Sequence, residues 1–346
     1  MKKEFNRRDF VKTTLIGGIG LGLTGKATSL YGKSSADTNR VGIIGLDTSH
    51  SVAFTKALNN TDVGPEFSGY KVVAAYPKGS NDIKSSYERI PGYTEDVKKL
   101  GVEIVNSIEE LLSKVDVILL ETNDGRPHLA QALQVFKAGK RVFIDKPITA
   151  SLTDAIVIFE AARHYNVPVF SSSSLRFEQV TQDIAHGKIG KVLGADTYSP
   201  ATIEKTHPDL FWYGIHGVES LFTLMGTGCK SVSRINTEKT DVVVGVWSDG
   251  RIGTFRGTRS GIYGLGGTAF GEKGNLALGE EQGYTPLLLK IIEFFNTGIV
   301  PVTSDQTLEI YAFMEAAEVS KNKGGASIEI ENVMQKAIRQ SKKIHY

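Results

Sequence analysis

Cysteine occurs once in these 346 residues, at Cys229. An internal disulfide is therefore impossible, and a zinc site built on several thiolates is excluded. No metal-ligand set is read from the sequence. An excess of charge of one sign is also missing: 40 basic residues face 38 acidic ones, and no long basic run occurs. Nucleic acid as a partner has no electrostatic basis here. Long apolar runs are absent too. The uncharged stretch from Thr13 to Gly25 has 13 residues, against about 20 for a membrane-spanning helix, so no stable membrane anchor is expected. Repeats and low-complexity segments are lacking. What remains is an ordinary globular composition over a length that suggests about two domains.

The N-terminus carries a specific pattern. Arg7, Arg8, Phe10 and Lys12 precede that glycine-rich stretch, as in a twin-arginine export signal. Ser34-Ser35-Ala36 supplies small residues for cleavage. Residues 1–36 are thus expected to be a signal peptide and 37 the mature start, with the protein exported folded to the periplasm.

From residue 40 onward, short β-branched runs alternate with helical patterns: RVGIIG, YKVVAAY, VEIVNS, VDVILLET and RVFIDKP, separated by segments such as SVAFTKALNN and PHLAQALQVFKAG. That alternation predicts a Rossmann-type, doubly wound parallel sheet. The polar stretch 81–99 reads as an insertion with a helical portion. Past about Arg176 the texture changes to strands with hairpin turns, at Ser248-Asp249-Gly250 and at 271–275. A mostly antiparallel sheet with a few helices is expected there. The boundaries read from the sequence are 37–150 for a dinucleotide-binding domain and 151–346 for an α+β domain.

The first turn is short of glycine. A full G-x-G-x-x-G fingerprint starting at Gly45 would place glycines where Asp47 and His50 stand. The second glycine lets the backbone approach pyrophosphate, and the third allows close helix packing. Asp47, Thr48 and Ser49 are all good N-cap types. The helix start still offers N–H groups to an anion, and His50 can meet phosphate if protonated. Two readings stay open: a retained dinucleotide site, or a degenerate turn in which Asp47 only caps the helix. After the second strand no carboxylate stands ready for a ribose 2′-OH; Lys78 and Ser80 suit a 2′-phosphate, and NAD against NADP stays undecided.

The VGIIG strand, the apolar strand ending in ETND with His128 after it, KAGKRVFIDKP, SLRF and GIHGVE together resemble the glucose–fructose oxidoreductase / inositol dehydrogenase / MocA family. The likeness spans about residues 38–340. It implies a dinucleotide-binding domain followed by an open-faced sheet domain, with NAD or NADP as cofactor. Thr122, Asn123, Asp124, His128, Asp145 and Lys146 then fall on the cofactor side. The resemblance implies that Lys146 contacts both the substrate and the nicotinamide ribose.

His216 suits the proton acceptor that oxidation of a carbinol needs. The family pattern has an acidic residue four positions earlier, where this chain has Trp212 beside Tyr213. The acid–base pair is therefore altered. Tyr213 is a candidate donor or relay, and Glu219 shares a helical face with His216. His207, Asp209, Phe211 and Trp212 offer aromatic and polar groups for a sugar ring, and Arg176 a cation for a substrate oxygen. Free dinucleotide is not expected in the periplasm. The leading expectation is thus an oxidoreductase with tightly held cofactor, acting on a hydroxyl of a sugar or sugar derivative. A redox-neutral glycoside hydrolase, lyase or epimerase is the alternative, and a cofactor-free sugar-binding protein the third reading. A homodimer or homotetramer is expected.

Overall fold

The computed structural model describes residues 39–62, 64–279 and 281–346. The expected signal peptide lies outside the described residues.

The first sheet has six strands: β1 (Arg40–Ile44), β2 (Lys71–Tyr76), β3 (Glu103–Ile104), β4 (Val117–Leu120), β5 (Arg141–Ile144) and β6 (Val169–Phe170). All pairings are parallel. The order β3-β2-β1-β4-β5-β6 reverses between β1 and β4, and a crevice opens there at the carboxyl ends of the strands. β4 is buried along its whole length, as expected of a parallel strand covered on both faces. The sixth strand lies beyond residue 150, so the first sheet continues past the boundary read from the sequence.

Helices α1 (Ser49–Asn59), α2 (Lys84–Tyr87), α3 (Ile90–Lys99), α4 (Ile108–Lys114), α5 (His128–Lys137) and α6 (Leu152–His164) alternate with these strands. The second half adds α7 (Gln179–Ala185), α8 (Ile215–Met225), α9 (Thr285–Thr297), α10 (Ser304–Asn322) and α11 (Ile330–Ser341). Its seven-stranded sheet comprises β7 (Val192–Pro200), β8 (Cys229–Asn236), β9 (Thr240–Trp247), β10 (Ile252–Thr258), β11 (Gly266–Gly271), β12 (Gly274–Ala277) and β13 (Ile328–Glu329). The order is β12-β11-β7-β10-β9-β8-β13. Only β7 and β10 run parallel; the other neighbours are antiparallel. β9 alternates buried and less buried residues, the mark of a sheet packed on one face. Leu193, Ile252 and Phe270 stand on the open face.

Two apolar clusters hold the chain. One joins the first sheet through α4, α5 and α6 to α8, α10 and the second sheet, with Leu120, Phe136, Phe159, Phe222, Phe255 and Phe313 among its members. The other packs Phe54 and Leu58 of α1 and Phe143 and Phe170 of the sheet against Leu287, Ile291 and Phe294 of α9. Helix α9 therefore leaves its sequence neighbours and covers the first sheet. That return places the residue just before it, Tyr284, over the start of α1.

Candidate active site

A cavity of about 460 Å³ opens at the strand ends where the first sheet reverses order. Thr48, Ser49, His50, Asn123, Asp145 and Lys146 line it from the first sheet's loops; Trp212, Tyr213 and His216 line it from the second half. The sequence-predicted catalytic residues Lys146, His216 and Tyr213 thus share one wall space.

The turn after β1 explains its own sequence. Gly45 has φ +90°, and a Cβ there would meet Thr122 at 2.6 Å, so only glycine fits. Asp47 does not cap α1; Thr48 is the N-cap, with no side-chain cap hydrogen bond. The Asp47 carboxylate instead accepts N–H bonds from Ser80 (2.7 Å) and Asn123 (2.9 Å). It is fully buried and ties the ends of β1, β2 and β4 together. Burial raises its pKa, and those two N–H bonds oppose the rise. A Cβ on Gly79 would strike this carboxylate at 2.3 Å. The capping expectation is therefore corrected: an Asp side chain one residue before the cap reaches across the crevice.

The start of α1 suits an anion. Its first turn has no acidic residue, and Thr48 Oγ1 is buried without a partner. Free N–H groups and the helix dipole favour a phosphate at such a place. Ser49 Oγ bonds the Tyr284 hydroxyl at 3.1 Å. Arg89, from the inserted segment, also lines the cavity. These residues fit the pyrophosphate of a dinucleotide.

Several predicted residues lie behind the wall. Lys78 is exposed and Ser80 buried; neither lines the cavity, because the chain after β2 folds down onto Asp47. Thr122 packs on Gly45. Asp124 pairs with Arg126, which also binds Asp82. His128 is buried, its ring nitrogens 2.7 Å from Thr122 O and 3.0 Å from Ile148 O, so it braces the loops after β4 and β5. His207 accepts from Gly125 N at 3.3 Å and stacks beside Trp212, joining the β4 loop rather than the cavity. Arg176 and Glu219 pair with each other at 2.7 Å. Glu219 also accepts from Ser172 Oγ and Ser173 N.

That buried cluster positions His216. Ser173 Oγ lies 2.7 Å from His216 Nδ1, and Glu219 holds the Ser173 backbone. Burial, and then the charges of Lys146 and His50, push the His216 pKa well below its ordinary value, against Asp145. The ring is neutral near pH 7. Before α8 the helix starts with a π-turn over Leu210–Gly214, a feature common at functional sites. It turns Trp212 and Tyr213 into the cavity. The Tyr213 hydroxyl bonds that of Tyr263, and burial with this contact raises its pKa. Tyr263, Tyr284 and Arg89 line the site but were missed by sequence reasoning; GIYGLGG and GYTP carry the only hint, aromatics set in glycine-rich loops.

Residues 39–173 match the family described as "Oxidoreductase family, NAD-binding Rossmann fold", less than half of the chain. This supports the resemblance and a nicotinamide dinucleotide as cofactor class. An uncharacterized oxidoreductase of Escherichia coli is 24% identical over 36% of this chain and 40% of its own length. The 1,5-anhydro-D-fructose reductase of Ensifer adhaerens is 32% identical over 27% of this chain and 30% of its own. The chain thus spans less than half the length of these curated relatives. A probable dehydrogenase from Thermotoga maritima superposes with TM-score 0.69 at 21% identity, covering 85% of this chain and 99% of that one. The scyllo-inositol dehydrogenase of Lactobacillus casei, solved with NAD(H) and scyllo-inositol, gives 0.67 at 18%, with the same coverage. At such identities the structural likeness shows the fold: a parallel six-stranded Rossmann sheet followed by a mixed-sheet domain.

Proposed function

We propose that this protein is a carbohydrate oxidoreductase that keeps a nicotinamide dinucleotide, NAD or NADP, bound through its working cycle outside the cytoplasm. The observation that carries this reading is the single cavity shared by Lys146, His216 and the start of α1. Thr48, Ser49 and Asn123 would hold the phosphates and Lys146 the nicotinamide ribose. When bound, the nicotinamide ring supplies the hydride acceptor. Trp212, Tyr213, Tyr263 and Tyr284 form an aromatic wall suited to a polyhydroxylated ring. The names of the matched relatives, an anhydrofructose reductase and an inositol dehydrogenase, support the same substrate class.

The chain's own part is proton handling. Ser173 Oγ and His216 Nδ1 share a hydrogen bond whose direction follows the ring tautomer. The tautomer with its proton on Nδ1 donates to Ser173 and keeps an Nε2 lone pair for the substrate hydroxyl proton. Lys146 polarises that hydroxyl. Tyr213 keeps its proton, because burial raises its pKa, and so stands as a hydrogen-bond donor beside a base. That pairing favours, as a second reading, a redox-neutral cleavage or epimerisation in which a leaving oxygen is steadied by a donated hydrogen bond. Export by the twin-arginine route supports a retained cofactor in either case, since the protein crosses the membrane already folded.

The test is single-turnover reduction of the bound dinucleotide, followed by absorbance over a panel of inositols and glycosides. His216→Ala should keep the dinucleotide and lose about 10²- to 10⁴-fold in rate. An unchanged rate would make His216 a packing residue. Product analysis on the responding glycoside separates the two readings: a ketone for the first, a released aglycone for the second.

A further inference from the structure

The floor of the cavity holds a cluster that proton and hydride transfer leave unused. His50 Nδ1 lies 3.0 Å from Asp145 Oδ2 and 3.8 Å from Glu121 Oε2. One ligand atom from each of the three residues lies within 4.8 Å of the others. Glu121 and Asp145 are fully buried and His50 nearly so. Four of their polar atoms, His50 Nδ1, Asp145 Oδ2 and both Glu121 carboxylate oxygens, lack a well-aligned hydrogen bond to any group, His50 Nδ1 only facing the two carboxylates at the distances above. The remaining Asp145 oxygen accepts from Lys146 N at 2.8 Å.

A buried carboxylate with neither oxygen bonded is expensive to keep. Asp47, a few residues away in the same crevice, has both oxygens bonded. Lys146 supplies one positive charge near two carboxylates. The donors come from the first turn of α1 and from the ends of β4 and β5, which are rigid elements that can hold a ligand set in place.

The donor set is one imidazole nitrogen and two carboxylates, without thiolate. That favours zinc or manganese over calcium, which takes six or more oxygens, and over magnesium, which keeps its waters. Zinc bonds of about 2.0–2.2 Å put tetrahedral ligands on the order of 3.3 Å apart. The two His50 separations bracket that spacing. His50 and Asp145 also line the cavity, so a fourth coordination position would face whatever the cavity binds, as in zinc sites with three protein ligands.

We propose that His50, Glu121 and Asp145 bind one divalent transition-metal ion, best matched by zinc, at the floor of the cavity. The proposal is independent of the dinucleotide reading, because none of the three ligands needs a nucleotide in place. Elemental analysis of the full chain as purified should find about one zinc or manganese ion per chain. After stripping with chelator and dialysis, titration with zinc chloride or manganese chloride should restore it in calorimetry and raise the melting temperature. Magnesium and calcium chlorides should do neither. Glu121→Gln and His50→Gln, checked for folding by circular dichroism, should bind zinc about tenfold more weakly or worse and lose the thermal shift. The proposal is overturned if the stripped wild type takes up neither ion. It is equally overturned if Glu121→Gln binds zinc as the wild type does; a proton shared between Glu121 and Asp145 would then hold the pair.

Discussion

The chain buries charge in two places and treats it differently. Behind the second sheet, Arg234 donates to Asp209, Asp241 and Glu318, and Arg259 also binds Asp241. Lys321 adds a second cation to Asp209. The Arg234 side chain is 1% exposed, and its donors are spent on carboxylates of matching sign and shape. At the floor of the cavity, His50, Glu121 and Asp145 are as deeply buried, yet four of their polar atoms lack a well-aligned hydrogen bond and face only one another. Burial, and then the Asp145 charge, hold the Glu121 carboxyl well above the usual carboxylate range, with Lys146 opposing. A satisfied network fixes the position of strands and helices. An unsatisfied one in a cavity wall is a place where a ligand has something left to bond.

The largest expected effect breaks the satisfied side. Arg234→Met should cost about 3–5 kcal/mol, because removing one partner leaves buried carboxylates under-compensated. The lower end is expected, since Arg259 and Lys321 remain. Glu121→Gln, measured in chelator, should change stability by less than about 1 kcal/mol, since the amide keeps the shape and the uncharged state that burial already favours in the carboxyl. Urea unfolding of both variants checks the contrast. Similar losses in the two would mean that Glu121 has partners as strong as those of Arg234.

Asp47→Ala should fall between these. It orphans the N–H groups of Ser80 and Asn123, each worth about 1–3 kcal/mol when left unsatisfied in the interior. Partial access of water to the crevice puts the total near the lower value. Asp47→Asn keeps one acceptor and should recover about half. Denaturation midpoints with an unchanged slope would show the loss; a wild-type midpoint for Asp47→Ala would mean that the three turns hold without it.

The first sheet was legible because parallel strands buried on both faces must be runs of Val, Ile and Leu, and the helices between them end in recognisable ways, such as Gly139 after α5. That Lys146, His216, Trp212 and Tyr213 line one cavity was legible from the motifs, with Lys146 at a strand end and the other three leading into α8. Asp47 was misjudged, since a capping residue and a carboxylate bridging two other loops look alike in a sequence. Glu121 was passed over although its neighbours Thr122, Asn123 and Asp124 were named. It meets His50 and Asp145, from the start of α1 and the end of β5, only once the chain has folded. Tyr284 and Tyr263 were missed for the same reason: α9 returns to the first sheet, and the loop after β10 reaches the π-turn, by contacts far apart along the chain.

A last effect, absent at neutral pH and growing only as the solution is acidified, concerns a third buried group, His216, bonded by Ser173 on one side and open to the cavity on the other. Its folded-state pKa lies well below the ordinary value, chiefly through burial and then through the charges of Lys146 and His50. The unfolded chain binds a proton on this residue below about pH 6.5, while the folded protein does not until its lower pKa is reached. The neutral ring's share of stability is therefore complete above about pH 6.5. It is lost as pH falls toward the folded value, with a slope of up to about 1.4 kcal/mol per pH unit. His216→Asn can still bond Ser173 but carries no proton, so its stability curve should fall less steeply than the wild type's between pH 6.5 and 5. Both proteins keep their other titrating groups, so only the difference between the curves counts. Parallel curves would mean that the cavity hydrates the ring enough to keep its ordinary pKa, and His216 would then be protonated over much of the acidic range instead of ready to accept a proton.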